Sequence, residues 1–314
     1  MRVFVTGASG FVGRFLLQAL QAYGCTCYGS TYPDSPDSVG PLCQDGVCRL
    51  DIRSQPDIQA ALEASQPEWI FHLAAVSNVG YSWKHRRETL ETNILGTFQL
   101  LEGIKNTVPD ARILFVSSSD VYGVSGELGR ALHENDPVDP VNPYAYSKIS
   151  GEQLCRFYSH IEGLDIVVSR SFPHTGPGQS TDFVCSDWAY QIAAVEKKKI
   201  EPVIRVGNIE VKRDFSDVRD TVKAYIALLE KGRSGDIYNV ARGRSVALKE
   251  ILHVLVDSSS RKIRIAVDQS KLRKVDIPDL WGSHQKIKAH TGWEAQIPLS
   301  ETLKDILQYW REKS

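Results

Sequence analysis

Residues 2–13 read RVFVTGASGFVG, an apolar run followed at once by Gly7, Gly10 and Gly13. The run reads as a buried strand. The segment after it, FVGRFLLQALQAYG, places Phe15, Leu16, Ala19 and Leu20 at helical spacing and ends at Gly24. The glycines therefore fall where a first strand turns into a first helix. Glycine permits a tight turn and lets backbone approach a pyrophosphate, whose charge then faces a helix N-terminus. The backbone from Gly7 and Gly10 through Phe11 and Val12 to Gly13 is the expected cradle. The spacing is G-x-x-G-x-x-G, one residue different from the usual dinucleotide fingerprint.

Further along, apolar strands and helices alternate. CTCYGS and GVCRLDI read as strands two and three, DIQAALEASQ as a helix, and EWIFHLAA as a strand. A long helix is expected over about 86–104, then the strand ARILFVSSS, a helix from Pro143 and the strand LDIVVSR. Such alternation implies a parallel sheet covered on both faces. The expectation is an α/β, doubly wound, Rossmann-like domain over residues 1–170. After Arg170 the stretch SFPHTGPGQSTDF is rich in turn formers, and an amphipathic helix closes the chain near 300–312. Residues 171–314 are expected to form a smaller substrate-binding lobe, with part of 214–241 returning to the first domain.

Composition narrows the class. The chain has 314 residues, 42% hydrophobic, with 37 basic and 38 acidic side chains and a formal net charge of -1. That supports a substantial core and offers no basic stripe for nucleic acid. The run Glu196–Lys197–Lys198–Lys199 reads as a solvated helix end. No apolar run is long enough to span a bilayer, and Gly7 interrupts the N-terminus too early for a signal-peptide core. The six cysteines at 25, 27, 43, 48, 155 and 185 lack zinc-ligand spacing, so reduced thiols in a cytoplasmic protein without a metal are expected. The six tryptophans are read as core or interface residues.

The stretch NPYAYSKISG, residues 142–151, carries two tyrosines before Lys148. Asn142 followed by Pro143 reads as an N-cap and first helical residue. Tyr144 then shares a face with Lys148, four residues on, whereas Tyr146 points elsewhere, into packing. Asp51 ends the third strand, as an acceptor for the adenine amino group or as a turn former. The end of strand two, Gly29–Ser30–Thr31–Tyr32, has neither an acidic residue for a ribose 2′-hydroxyl, unless Asp34 reaches back, nor an arginine for a 2′-phosphate.

Together with the glycine turn, HLAAVSN, VSSSDVYG and the Tyr144–Lys148 pair resemble the extended short-chain dehydrogenase/reductase superfamily, over the whole chain. The resemblance implies a triad of Ser118, Tyr144 and Lys148. In that triad a cationic Lys148 and the helix N-terminus stabilise tyrosinate, and Ser118 bonds the reacting oxygen. It also implies cofactor contacts from Asp51, Ile52, Leu73, Ala74 and Ala75, and a substrate contact from Ser77. The cofactor is NADPH or NADH, with the reading leaning to NADP(H). GPGQS (176–180), VGN (206–208), RDFSDVRD (213–220) and LRKVDIPDLWGS (272–283) are similar to enzymes acting on GDP-linked sugars. By that likeness Arg213 faces the diphosphate, and Arg273 and Asp276 hold base and ribose. The implied activity is NAD(P)H-dependent reduction of the C4 ketone of a GDP-4-keto-6-deoxy sugar, giving GDP-D-rhamnose or a close relative, by a homodimer. The alternatives are a dehydratase or epimerase that retains its cofactor, and a non-catalytic dinucleotide sensor. Pro173 stands where the family usually has Asn, so one substrate contact is missing. Asp120 stands at the dehydratase's glutamate, as a shortened relic or a working acid/base. His174 either touches sugar or phosphate, or only bonds backbone.

Overall fold

The structure, a computed structural model, describes residues 1–32, 46–272 and 275–313. Arg273, Asp34 and Cys43 lie outside the described residues. In the first half the elements run β1 (Arg2–Thr6), α1 (Phe11–Ala22), β2 (Thr26–Thr31), β3 (Gly46–Arg49), α2 (Gln55–Ser65), β4 (Trp69–His72), α3 (Val79–Lys84), α4 (Arg86–Leu90), α5 (Gly96–Thr107), β5 (Arg112–Ser118), α6 (Pro143–His160) and β6 (Ile166–Ser171). Then follow β7 (His174–Thr175), α7 (Val184–Glu196), β8 (Val203–Val206), β9 (Lys212–Arg213), β10 (Ser216–Asp217), α8 (Val218–Lys231), β11 (Ile237–Val240), β12 (Val246–Ala247), α9 (Leu248–Asp257), β13 (Arg264–Val267), β14 (Asp279–Leu280), α10 (Gln285–Thr291) and α11 (Leu299–Lys313).

Seven strands form one parallel sheet in the order β11-β6-β5-β4-β1-β2-β3. The order reverses between β1 and β4, which opens a crevice at the carboxyl ends of both strands. Buried apolar residues cover both faces. Val3, Val5, Leu16, Leu20, Val222 and Tyr225 pack α1 and α8 on one side. Phe4, Ile58, Leu62, Leu100, Ile104 and Cys155 pack α2, α5 and α6 on the other. Thus β11 and α8 join the first domain's sheet and core. A separate core, with Trp188, Ile192, Ile251, Leu252, Leu303 and Ile306, holds α7, α9 and α11 together. No helix among the described residues is long and apolar enough to cross a membrane.

The helix expected over 86–104 is interrupted. It is α4, a π-helical turn at Glu91–Leu95 and then α5. The apolar spacing survives a single π turn, so periodicity does not reveal it. Tyr146 does not pack inside the chain. It is 56% exposed, because the side of α6 away from Tyr144 and Lys148 faces outward. Trp188 and Trp293 are buried. Trp83 instead lines the crevice, with the Arg86 guanidinium 5.4 Å from its ring.

Candidate active site

The crevice widens into one cleft of about 1100 Å³ between the large sheet and the C-terminal lobe. Its floor begins at the glycine turn. Gly7 has φ +69, and a Cβ there would lie 2.9 Å from the Ala74 backbone. A Cβ on Gly13 would lie 2.6 Å from the Gly7 and Ala8 carbonyl oxygens. Gly10 caps α1 without a side-chain hydrogen bond to the first turn, so the helix start offers backbone N–H groups to an anion. Gly7, Gly10, Phe11, Val12 and Gly13 all line the cleft. This cradle fits a dinucleotide diphosphate.

Leu73, Ala74 and Ala75 leave the end of β4 along the cleft wall, with Ser77 beyond them. Buried His72 fixes their start. Its Nδ1 bonds Thr6 Oγ1 at 2.9 Å and its Nε2 bonds Thr97 Oγ1 at 3.0 Å. Thr6 Oγ1 in turn accepts the Ala74 N–H at 3.1 Å. Burial first, then the charge of Lys148, pulls the His72 imidazole down to about 3, so it is neutral. Asn93, in the π turn, accepts the Val76 N–H at 2.8 Å and donates to Val76 O and to Ser147 Oγ. It ties the strand-end loop to α6.

At the other end of the cradle, Asp51 and Ile52 line the cleft. Asp51 Oδ1 accepts the Arg53 N–H at 3.0 Å, a local turn, and its carboxylate grips the Arg53 guanidinium at 2.6 Å. The hydrogen bond from Arg53 holds the Asp51 carboxyl below its usual range. Arg53 also reaches Tyr32 Oη at 3.3 Å. An arginine therefore does stand beside the end of β2, delivered by the neighbouring strand's turn rather than by β2 itself.

The triad residues meet on the cleft floor. Asn142 Oδ1 accepts the Ala145 N–H at 2.8 Å and starts α6, with Pro143 in its first turn. Tyr144, Lys148 and Glu152 then fall at four-residue spacing on the buried face. Glu152 takes Arg170 in a buried pair at 2.7 Å and accepts Ser117 Oγ at 2.5 Å, which anchors α6 to β5 and β6. Lys148 Nζ donates to Val116 O at 2.8 Å and lies 5.9 Å from the Tyr144 ring. Burial pulls its pKa down to about 8. Burial first and the Asp120 charge second push the Tyr144 phenol above its ordinary value, against a hydrogen bond with Ser118 that lowers it. Burial is the larger of these influences and favours the neutral phenol.

On the lobe side, His174, Arg213 and Asp276 line the cleft with Asp120 opposite. His174 Nδ1 bonds Phe172 O at 3.1 Å, and burial lowers its pKa, which keeps it neutral. Arg213 bonds Ile277 O at 2.7 Å and stands 3.9 Å from Asp276, whose other oxygen accepts Asn208 Nδ2 at 3.1 Å. Pro173 also lines the cleft, and its carbonyl accepts the Ser216 N–H at 2.9 Å. His72, Asn93 and Arg53 escaped the sequence reading. The four-residue step from Asn93 to Thr97, beside the glycine-bearing GTFQLL, was the available signal for Asn93.

Known proteins share this architecture. The family model described as GDP-mannose 4,6 dehydratase matches residues 4–306. GDP-6-deoxy-D-mannose reductase of Pseudomonas aeruginosa is 35% identical over 312 residues, spanning 99% of this chain and 98% of that protein. The solved structure of RMD from Pseudomonas aeruginosa complexed with NADPH aligns at a TM-score of 0.88 and 31% identity, over 100% of both chains. A UDP-glucose 4-epimerase from Thermus thermophilus in complex with NAD aligns at 0.89 and 25% identity, again over 100% of both. With a match running nearly end to end, the chain belongs to the GDP-mannose 4,6 dehydratase family, within the extended short-chain dehydrogenases/reductases.

Proposed function

We propose that this chain reduces the C4 ketone of a GDP-4-keto-6-deoxy sugar, giving GDP-D-rhamnose or a close relative. The observation that carries this reading is the meeting of Ser118, buried Tyr144 and Lys148, the last two one helical turn apart on α6, on the floor of a dinucleotide cleft. NADPH, when bound, supplies the hydride taken up by the ketone carbon. As the carbonyl becomes an alkoxide, Tyr144 donates its proton to that oxygen and Ser118 holds it in place. Lys148, anchored on Val116 O, presents its remaining donors to the cofactor ribose. Gly7, Gly10, Phe11, Val12 and Gly13 hold the dinucleotide diphosphate. Asp51, Ile52, Leu73, Ala74 and Ala75 flank it, and Ser77, His174, Arg213, Arg273 and Asp276 hold the substrate.

A second reading has one observation in its favour. The Asp120 carboxylate lines the cleft and acts on Tyr144, where it could serve as an acid/base in loss of water from GDP-mannose. The two are separated by giving GDP-mannose with NADP⁺ to one sample, and the 4-keto sugar with NADPH to another. Loss of nicotinamide absorbance in the second, one for one with product, is expected. Formation of the 4-keto sugar in the first, with no absorbance change in the second, would make this a dehydratase.

A division into a first domain over residues 1–170, joined by α8 and β11, and a lobe within 171–314 is supported by the two separate cores. The five described cysteines are free, which supports a reducing, cytoplasmic setting. A homodimer is supported by apolar side chains exposed on α5 and α6, argued below.

A further inference from the structure

Glu152 and Arg170 form a buried ion pair behind the cleft floor, 3% and 4% exposed, and the mechanism above gives it no part. Both Glu152 oxygens accept from the Arg170 guanidinium, at 2.7 to 3.2 Å, and Oε1 also accepts Ser117 Oγ at 2.5 Å. Arg170 turns Nη1 to Glu134 O at 3.0 Å and lies 4.9 Å from the Tyr122 ring. Replacing such a pair by apolar residues of similar volume is often neutral or stabilising, so cohesion alone does not account for it.

Its place in the fold does. Tyr144, Lys148, Glu152 and Cys155 follow one another on the buried face of α6, so a carboxylate lies one turn behind the Lys148 ammonium. Ser117, which Glu152 holds, directly follows Val116, whose carbonyl accepts Lys148 Nζ at 2.8 Å. Burial opposes the Lys148 cation, while Cys155 and Glu152 support it. The Cys155 thiol is itself pushed up by burial and stays neutral near pH 8, which leaves Glu152 as the charge on this helix. Other elements offer no substitute. His72 of β4 is neutral, Tyr144 and Tyr225 of α8 are phenols pushed up by burial, Arg170 of β6 is held by Glu152, and Asp120 after β5 acts on Tyr144. We propose that Glu152, locked by Arg170 and Ser117, is the positioning residue that keeps Lys148 an ammonium through neutral pH, and with it the lysine's hold on the cofactor ribose. It rests on Lys148 meeting that ribose, as read above, and not on the identity of the sugar.

The test is fluorescence titration of NADPH into the full-length protein from about pH 6 to about pH 10, a range that brackets the lowered and the ordinary lysine values. Wild-type affinity should fall as pH rises through about 8. Glu152→Gln keeps the shape and an acceptor for Ser117 but removes the charge, so the ammonium should be lost at least about one pH unit earlier. That variant should match wild type within about twofold at about pH 6 and bind at least about fivefold more weakly at about pH 8, the factor a one-unit shift gives. Should it not fold, Glu152→Leu with Arg170→Met, an apolar replacement of the pair, should show the same selective loss near the higher pH. A variant weaker by one factor at every pH, or identical to wild type throughout, would make the pair a frame for α6 only and the proposal wrong. So would a wild-type affinity that stays flat across the range. The readout needs no sugar, so failure of the protein to reduce the 4-keto sugar would count against the substrate reading alone.

Discussion

Tyr144 and Tyr146 are two residues apart on α6 and meet opposite surroundings: one lies on the cleft floor, the other is 56% exposed. Tyr144→Phe should lower kcat by at least about 100-fold, the usual worth of a positioned acid, with KM nearly unchanged. Tyr146→Phe should leave kcat within about twofold, since its hydroxyl is remote from the proton transferred. Steady-state kinetics on both decides; an inactive Tyr146→Phe with an active Tyr144→Phe would reverse the assignment. Lys148 gives a pH signature. Its pKa is lowered to about 8 by burial, so the ammonium is present below that pH and lost above it. Activity that depends on the cation should fall as pH rises through about 8, well before an ordinary lysine would titrate. A pH–rate profile flat to pH 10 would show that the charge is not needed.

Among the elements, the turn between β1 and α1 tolerates the least. Gly7 combines a left-handed backbone with a Cβ position 2.9 Å from Ala74. Gly7→Ala must displace either the strand end after β4 or the cradle itself. It should weaken NADPH binding at least about tenfold, because cleft geometry off by an ångström is costly, and fluorescence titration of the cofactor would show it. The loop after β11 has a different anchor. Asp214 is fully buried and accepts the N–H groups of Arg242, Gly243 and Gly282. Removing its carboxylate leaves those donors without their acceptor, so Asp214→Ala should cost about 3 kcal/mol, read as a lower denaturation midpoint. An unchanged midpoint would mean that the loop finds other acceptors. Burial raises this carboxyl to about 6, against those backbone bonds, so it is still ionised at neutral pH.

For the molecule as a whole, Leu95 and Phe98 around the start of α5, and Tyr146, Phe157 and Ile161 on and after α6, are exposed at 53, 38, 56, 48 and 71%. Neighbouring helices that present so many apolar side chains suit pairing with a second copy through an isologous contact. Light scattering should give twice the 35.0 kDa chain mass, and Phe157→Glu with Ile161→Glu should return it to one chain. A monomeric wild type would remove the proposal.

The order of strands and helices, the glycine turn and the Tyr144–Lys148 face were all legible in the chain, because each is encoded within a few residues by periodicity, capping or glycine placement. Likeness to known enzymes supplied Ser118 and the lobe residues, which no local spacing specifies. Only the tertiary structure decided what depends on distant partners. Arg53 meets Tyr32 because β3 lies beside β2. Asn93 reaches Val76 and Ser147 through a π turn that leaves the apolar pattern intact. Asp187 finds Lys271 across 84 positions of chain. The surroundings of the Tyr144 phenol belong to this second kind as well. Sequence places a cation one helical turn away, but burial and the Asp120 charge set the balance, and desolvation exists only once the chain has closed around the site.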